Sequence, residues 1–333
     1  MEDLLARWQG AAWRAEVDGW VEDVMAAHGV SLACPGVEVK TRFWSAVRRY
    51  GTTAGTVWAK ECNPGQDFEG PLLVELAALE PTCFPAPVAV DAARSRLLLP
   101  DAGTVRARGD RDVLEQDLHE VLVHHAGLQQ RLAPHRDRLV GAGLPSLTPD
   151  ELPAWVEEVA ADLAARPTSD PQHLDRDGVR RVLSGLPRVR RWCEALGGAT
   201  GGARVPHTFQ HDDLNPWNVA RTPAGPVCFD VGDAFWSHPF AVLQVPLAVA
   251  TGTWPWGPEE TDPVVVRGLD SYLAAWTGDG TGLQDLRPLV GPALRLAQAH
   301  RGESWRRLLA HVPPDRLGWS TPVLRDYLLR VVG

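Results

Sequence analysis

The sequence predicts an α+β protein of two lobes, a small β-rich lobe followed by a larger, mainly helical one. Three observations lead there. Between Val37 and Glu61, β-branched and aromatic residues are broken by glycine turns. After Gly103, apolar residues recur at the i, i+3, i+4 spacing of helices. The composition changes between the two regimes near residue 102, and 333 residues are enough for two such units. The expected lobes are therefore residues 1–102 and 103–333.

Taken in order, residues 11–28 place Trp13, Val17, Trp20, Val21, Val24 and Met25 with helical period ahead of a Gly29 stop, which predicts an amphipathic helix. Residues 37–61 read as three short strands with tight turns at Gly51 and Ala54-Gly55. The last of them, Thr56 to Lys60, runs out at Asn63-Pro64-Gly65. A helix over 68–80 is closed by Pro81, and residues 87–91 and 94–99 read as a hairpin. In the second lobe, helices are predicted over 112–132, 153–165, 178–196, 264–276, 292–309 and 321–332, with helical character also from Pro239. Strands are expected over 208–211 and 226–231, and 197–203 reads as a Gly/Ala/Thr loop.

Composition removes several classes of function. With 44% hydrophobic and 23% charged residues the chain is globular rather than disordered. A net charge of −9 argues against nucleic-acid binding, which needs clustered basic residues. The N-terminus lacks the pattern of a secretory signal, and the longest apolar run, 239–249, is about half the length of a bilayer span. No membrane association is expected. Five widely spaced cysteines, odd in number and without a C-x-x-C pair, point to a reducing cytosol and a cytoplasmic protein. The cations are lopsided: 31 arginines and only two lysines, Lys40 and Lys60. Asparagine is confined to positions 63, 215 and 218.

Two of those asparagines lie in His211-Asp212-Asp213-Leu214-Asn215-Pro216-Trp217-Asn218, which fits H-x-D-x-x-x-x-N, the spacing of a kinase catalytic loop. Phosphoryl transfer needs a carboxylate near the attacking hydroxyl and a neutral oxygen ligand for magnesium. A short loop aims both inward. Twelve residues beyond Asn218, Cys228-Phe229-Asp230 ends an apolar strand in a second acid before a glycine turn, a suitable bridge from Mg²⁺ to phosphates. Upstream, Lys60 ends a strand from which its amine can reach the α- and β-phosphates of a nucleotide. On the following helix Leu72, Leu73, Leu76 and Leu79 form the apolar stripe; Glu69 falls within it and Glu75 at its edge. A carboxylate facing a core needs a partner, so Glu69 is the expected mate of Lys60. No G-x-G-x-x-G is present; Ser45, in the turn where such a loop belongs, is a candidate phosphate donor. Leu98 to Asp101 joins the lobes, and Leu99 and Asp101 are placed to offer backbone groups to a purine.

On these residues the chain resembles the aminoglycoside phosphotransferase family, whose catalytic loop commonly reads H-G-D-x-H-P-x-N and which shares the bilobal fold of protein kinases. The resemblance implies a protein-kinase-like fold with a nucleotide-binding first lobe, Asp213 as the catalytic aspartate, Asn218 and Asp230 as magnesium ligands, and Lys60 with Glu69 as the ion pair anchoring ATP or GTP. Two positions depart from the pattern: Asp212 stands for the common glycine and Asn215 for the common histidine. The implied activity is Mg²⁺-dependent phosphorylation of a small hydroxylated acceptor, with antibiotics, nucleosides, glycosides, sugars and choline-like alcohols all within range. A kinase-like nucleotide-binding module without turnover is the alternative, and a metal-dependent hydrolase built on His211, Asp213 and His238 a second. From Trp236 to Gly333 the chain carries nine Asp plus Glu and nine Arg. That balance argues against an acidic wall for a polycationic aminoglycoside. Trp236, His238, Trp254, Trp256, Tyr272, Trp276 and Trp305 are candidate stacking surfaces for an acceptor, and Glu259, Glu260 and Asp262 the one candidate acidic cluster.

Overall fold

Two short helices lead into the first lobe: α1 (Leu4–Gln9), capped by Asp3, and α2 (Ala11–Ala27). In this computed structural model, residues 3–105, 111–197, 205–255, 257, 262–278, 280–313 and 323–333 are described, apart from the side chains of 111–117. The β-rich stretch folds into β1 (Val37–Arg42), β2 (Ser45–Thr52) and β3 (Gly55–Cys62), followed by α3 (Glu69–Leu79) and a hairpin of β4 (Ala89–Asp91) and β5 (Arg96–Pro100). All five strands form one antiparallel sheet in the order β1-β2-β3-β5-β4.

Period-two alternation divides β3 between two environments. Val57 and Ala59 face α1 and α2, where Leu4, Trp8, Trp13, Val17, Val21 and Met25 make a small core against the sheet. Trp58, Lys60 and Cys62 face the other way, toward α3 and the second lobe. Glu61 shares the face of Val57 and Ala59 and is almost completely buried there. It accepts hydrogen bonds from the indoles of Trp8 (2.8 Å) and Trp13 (2.9 Å) and from the Arg96 guanidinium (2.7 Å). The N-terminal helices are thus tied to the back of the strand that carries Lys60. Helix α1 was not predicted, because its six residues are too few to show a period.

Beyond Pro100 the chain enters the second lobe at once: β6 (Thr104–Val105) pairs with β8 (Val219–Thr222), itself paired with β9 (Gly225–Cys228). A separate ladder joins β7 (Thr208–Gln210) to β10 (Phe235–Ser237). Around them lie α4 (Arg111–Leu132), α5 (Arg136–Gly141), α6 (Leu152–Ala165), α7 (Arg176–Leu196), α8 (Gln244–Thr251), α9 (Pro263–Ala274), α10 (Leu283–Leu309) and α11 (Val323–Val332). Helix α10 starts nine residues earlier than predicted and runs through Pro288 and Pro292. Burial of Leu286, Leu289, Val290 and Leu294 along that stretch outweighs the lost backbone hydrogen bonds. The strand expected over 226–231 pairs only as far as Cys228, since Asp230 turns into the left-handed region at φ +62°. Residues 198–203 of the expected glycine-rich loop lie outside the described residues. Among the described residues no helix is long and apolar enough to cross a membrane.

The lobes meet on the last turns of α10. Asn63 donates to the Leu308 carbonyl (3.4 Å) as well as to the Phe43 carbonyl of its own lobe (3.0 Å), and Gly65 sits so close that a Cβ there would lie 2.5 Å from the Arg307 carbonyl oxygen. The β1–β2 turn reaches the same helix, packing Phe43 against Trp305 (ring centroids 5.8 Å apart).

Because Glu61 neutralises a buried arginine, Glu61→Ala should destabilise the protein by about 3–5 kcal/mol, the usual cost of leaving one member of a buried pair alone. Urea unfolding measures this; a loss below about 1 kcal/mol would show that the cluster does not hold the N-terminal helices in place.

Candidate active site

The Lys60 ammonium group is buried between two carboxylates from different parts of the chain. It donates to both oxygens of Glu69 (2.7 and 2.6 Å) and to Asp230 Oδ1. Glu69 is the first residue of α3, after a tight turn at Pro64–Gln66, and is fully buried. Glu75, the other candidate on that helix, bonds Arg138 on the far side. Gly232 makes the approach possible, since a Cβ there would fall 2.8 Å from Glu69 Oε2. Burial alone would lower the Lys60 pKa, but Asp230 and Glu69 overcome it and hold the amine well above its usual range.

The octapeptide follows β7, and its geometry is set by local hydrogen bonds. His211 is fully buried and donates from Nε2 to the Phe229 carbonyl (3.0 Å), which ties the loop to the residue before Asp230. Burial lowers its pKa, so the ring is neutral. Asn215 Oδ1 caps the turn at Pro216–Asn218 by accepting from Trp217 N (3.2 Å). Asn218 donates to the Asp213 carbonyl (2.9 Å) and to Asp213 Oδ2 (2.8 Å), so its Nδ2 is engaged and its neutral Oδ1 is the atom that could accept a cation.

The two acids are pushed in opposite directions. Burial, with Asp233 and Asp230 adding to it against the pull of Arg301, pushes the Asp213 carboxyl up to about 7. Burial acts on Asp230 as well, but Lys60 and Lys40 outweigh it and hold that carboxyl well below the usual range. Arg301, on α10, donates to Asp233 Oδ2 (2.9 Å) and comes within 3.9 Å of Asp213 Oδ1. Asp233 also accepts from Gln66 Nε2 (3.1 Å) and from Ser304. Asp212, which replaces the glycine of the resembling motif, adopts φ +55°. Its side chain is 1% exposed, with His300 Nδ1 3.7 Å away.

A cleft of about 360 Å³ between the lobes collects most of the expected residues: Lys60, Glu69, Leu99, Asp101, Asn218 and Asp230 all line it. Asp213 stands just beyond its wall, joined through Asn218. Ser45 is not in the cleft; it is buried at the start of β2, where the alternation of the strand places it opposite Cys62. Of the aromatic candidates, Trp236, His238 and Tyr272 belong to the core, and Trp305 packs under the β1–β2 turn. Trp254 is 40% exposed. Trp256, Glu259 and Glu260 lie outside the described residues. His238 caps the following turn by accepting from Phe240 N (3.3 Å), a structural use unlike the metal ligand of the hydrolase alternative.

An amide oxygen and a carboxylate facing one cleft suit a hard divalent cation such as Mg²⁺, whose other ligands are water and phosphate oxygens. Among the described residues no group of three or more His, Cys, Asp or Glu side chains makes a metal site by itself. Sequence reasoning passed over Lys40, Trp58, Asp233 and Arg301. The scarcity of lysine was a usable signal for Lys40, whereas Arg301 lies 88 positions from Asp213 and nothing local connects them.

No family model matches the chain, and no curated protein matches its sequence. Solved structures do match in fold. A macrolide 2′-phosphotransferase of type I superposes with TM-score 0.58 at 15% identity, covering 95% of this chain and 97% of that one. The macrolide 2′-phosphotransferase MphH of Brachybacterium faecium gives 0.56 at 13% identity, with 94% and 98% covered. Choline kinase LicA of Streptococcus pneumoniae gives 0.56 at 11%, with 89% and 91% covered. The architecture is a bilobal, protein-kinase-like fold.

The left-handed Asp212 generates a test that needs no substrate. Asp212→Gly should fold normally and exceed Asp212→Ala in stability by about 1–2 kcal/mol, the backbone cost of that conformation for a residue with a Cβ. Equal unfolding free energies for the two variants would mean that the loop relaxes away from this geometry.

Proposed function

We propose that the protein transfers the γ-phosphoryl group of a nucleoside triphosphate, ATP or GTP, to a hydroxyl of a small molecule in a Mg²⁺-dependent reaction. The observation that carries this reading is the Lys60 ammonium held by Glu69 and Asp230 in the cleft that also presents Asn218, with Asp213 bonded to Asn218. A buried lysine fixed in this way is a positioned charge for the phosphates. Asn218 and Asp230 hold the metal, which supplies charge neutralisation on the phosphate oxygens when bound. Asp213 orients the acceptor hydroxyl and takes its proton as the acceptor oxygen bonds to the γ-phosphorus and the nucleoside diphosphate leaves. Most of the rate enhancement then comes from position and charge rather than covalent chemistry.

The solved relatives are named for acceptors as different as macrolides, choline and amicoumacin, so the acceptor has to be argued from this chain. Arg301, 3.9 Å from Asp213 Oδ1, puts a positive charge beside the carboxylate that meets the acceptor. With nine arginines matching nine Asp plus Glu from Trp236 onward, this part of the chain adds no net acidic wall for a polycation. The supported acceptor is a hydroxylated, weakly charged molecule of the nucleoside or glycoside kind, glycosylated antibiotics included, met in the cytoplasm.

Mass spectrometry of acceptor mixtures with ATP or GTP and Mg²⁺ should show phosphorylated neutral glycosides or nucleosides. Turnover of kanamycin-like polyamines alone would contradict the charge argument, and nucleotide binding without any product would leave a binding module. Asp213→Asn should lower kcat by roughly 10²–10⁴-fold, the usual contribution of a positioned general base, while nucleotide affinity stays near that of the native protein.

A further inference from the structure

The sequence contains two lysines among 33 cationic side chains, and both reach the same carboxylate. Lys60 bonds Asp230 Oδ1 from β3, and Lys40 Nζ lies 3.9 Å from Asp230 Oδ2 from β1. Lys40 lines the cleft and its side chain is 36% exposed, so the amine is open to a ligand.

A defect in the strand places it there. Along β1–β2 the register runs Val37↔Arg49 and Glu38↔Arg48, then resumes at Lys40↔Val47 and Thr41↔Ala46, leaving Val39 as one extra residue. Without that bulge Lys40 would stand opposite Ala46, on the face covered by α1 and α2. With it, Lys40, Val47 and Lys60 form one cross-strand row facing the cleft. The same strands lack the glycine-rich turn whose backbone N–H groups would otherwise cover a polyphosphate, and their turn is packed on Trp305 instead.

We propose that Lys40 is a second phosphate-binding lysine, aimed into the cleft by the Val39 bulge to hold the polyphosphate of the nucleoside triphosphate in place of a glycine-rich loop. The inference rests on the donor-cleft reading above. Among the described residues Lys60 is the one other first-lobe cation lining the cleft, and it is already held by Glu69 and Asp230; Arg42 turns back onto the Thr41 carbonyl and Arg48 onto Asp18 and Gly36.

Calorimetry with non-hydrolysable ATP and GTP analogues, and with the corresponding nucleosides, tests it on the native protein and on Lys40→Ala. The variant should keep the native melting temperature and lose about tenfold in affinity for the triphosphate analogue, as expected for one charge-assisted contact. Its affinity for the nucleoside should stay within about twofold, because the base and sugar contacts are untouched. Unchanged triphosphate affinity would overturn the proposal, as would an equal loss for the nucleoside, which marks a general disturbance of the lobe. If the native protein binds neither analogue, the donor-cleft reading fails, and this inference with it.

Discussion

The Lys60 ammonium is the charge around which the rest of the site is arranged. Taken out of water, it needs two carboxylates at hydrogen-bond distance, and these come from the start of α3 and the end of the β9 segment. Satisfying it requires the first lobe's sheet, the first turn of α3 and the second lobe's Asp230 loop to meet at one point. Other features accompany that meeting: a glycine at 232 where Glu69 presses on the backbone, a left-handed Asp230, and the seating of Asn63 to Gly65 on the end of α10.

Environment also separates the two acids that the proposed chemistry needs. Asp230, between Lys60 and Lys40, is held ionised and ready for a cation. Asp213, where burial is reinforced by Asp233 and Asp230 rather than offset by two lysines, has its pKa raised to about 7, where a carboxylate is a usable base near neutrality. Arg301 keeps that rise in check from α10.

Much of this was legible in the sequence where the signal is local. Three strands with glycine turns, the inward Glu69 and the octapeptide all show in windows of a few residues. What escaped depends on long-range geometry or on a single backbone irregularity. Strand β8 was missed because Val219 to Thr222 is too short to show alternation before its partner β9 is known. The face on which Lys40 emerges is reversed by one bulged residue that no periodicity reveals. Ser45 looked like a phosphate donor from its place in a turn, yet it starts β2 with its side chain buried. Trp236, His238 and Tyr272 looked like stacking surfaces and are core, as large aromatic side chains in a helical lobe usually are.

The central claim is that Lys60 and Glu69 act as one unit in holding the donor nucleotide. A double-mutant cycle with Lys60→Met and Glu69→Gln, read as affinity for a non-hydrolysable triphosphate in the presence of Mg²⁺, measures it most directly. The account predicts that each single variant is impaired and that the double variant is little worse than either, with a coupling of about 1 kcal/mol or more. Strictly additive losses would show that the pair does not act on the nucleotide as a unit and would contradict the account.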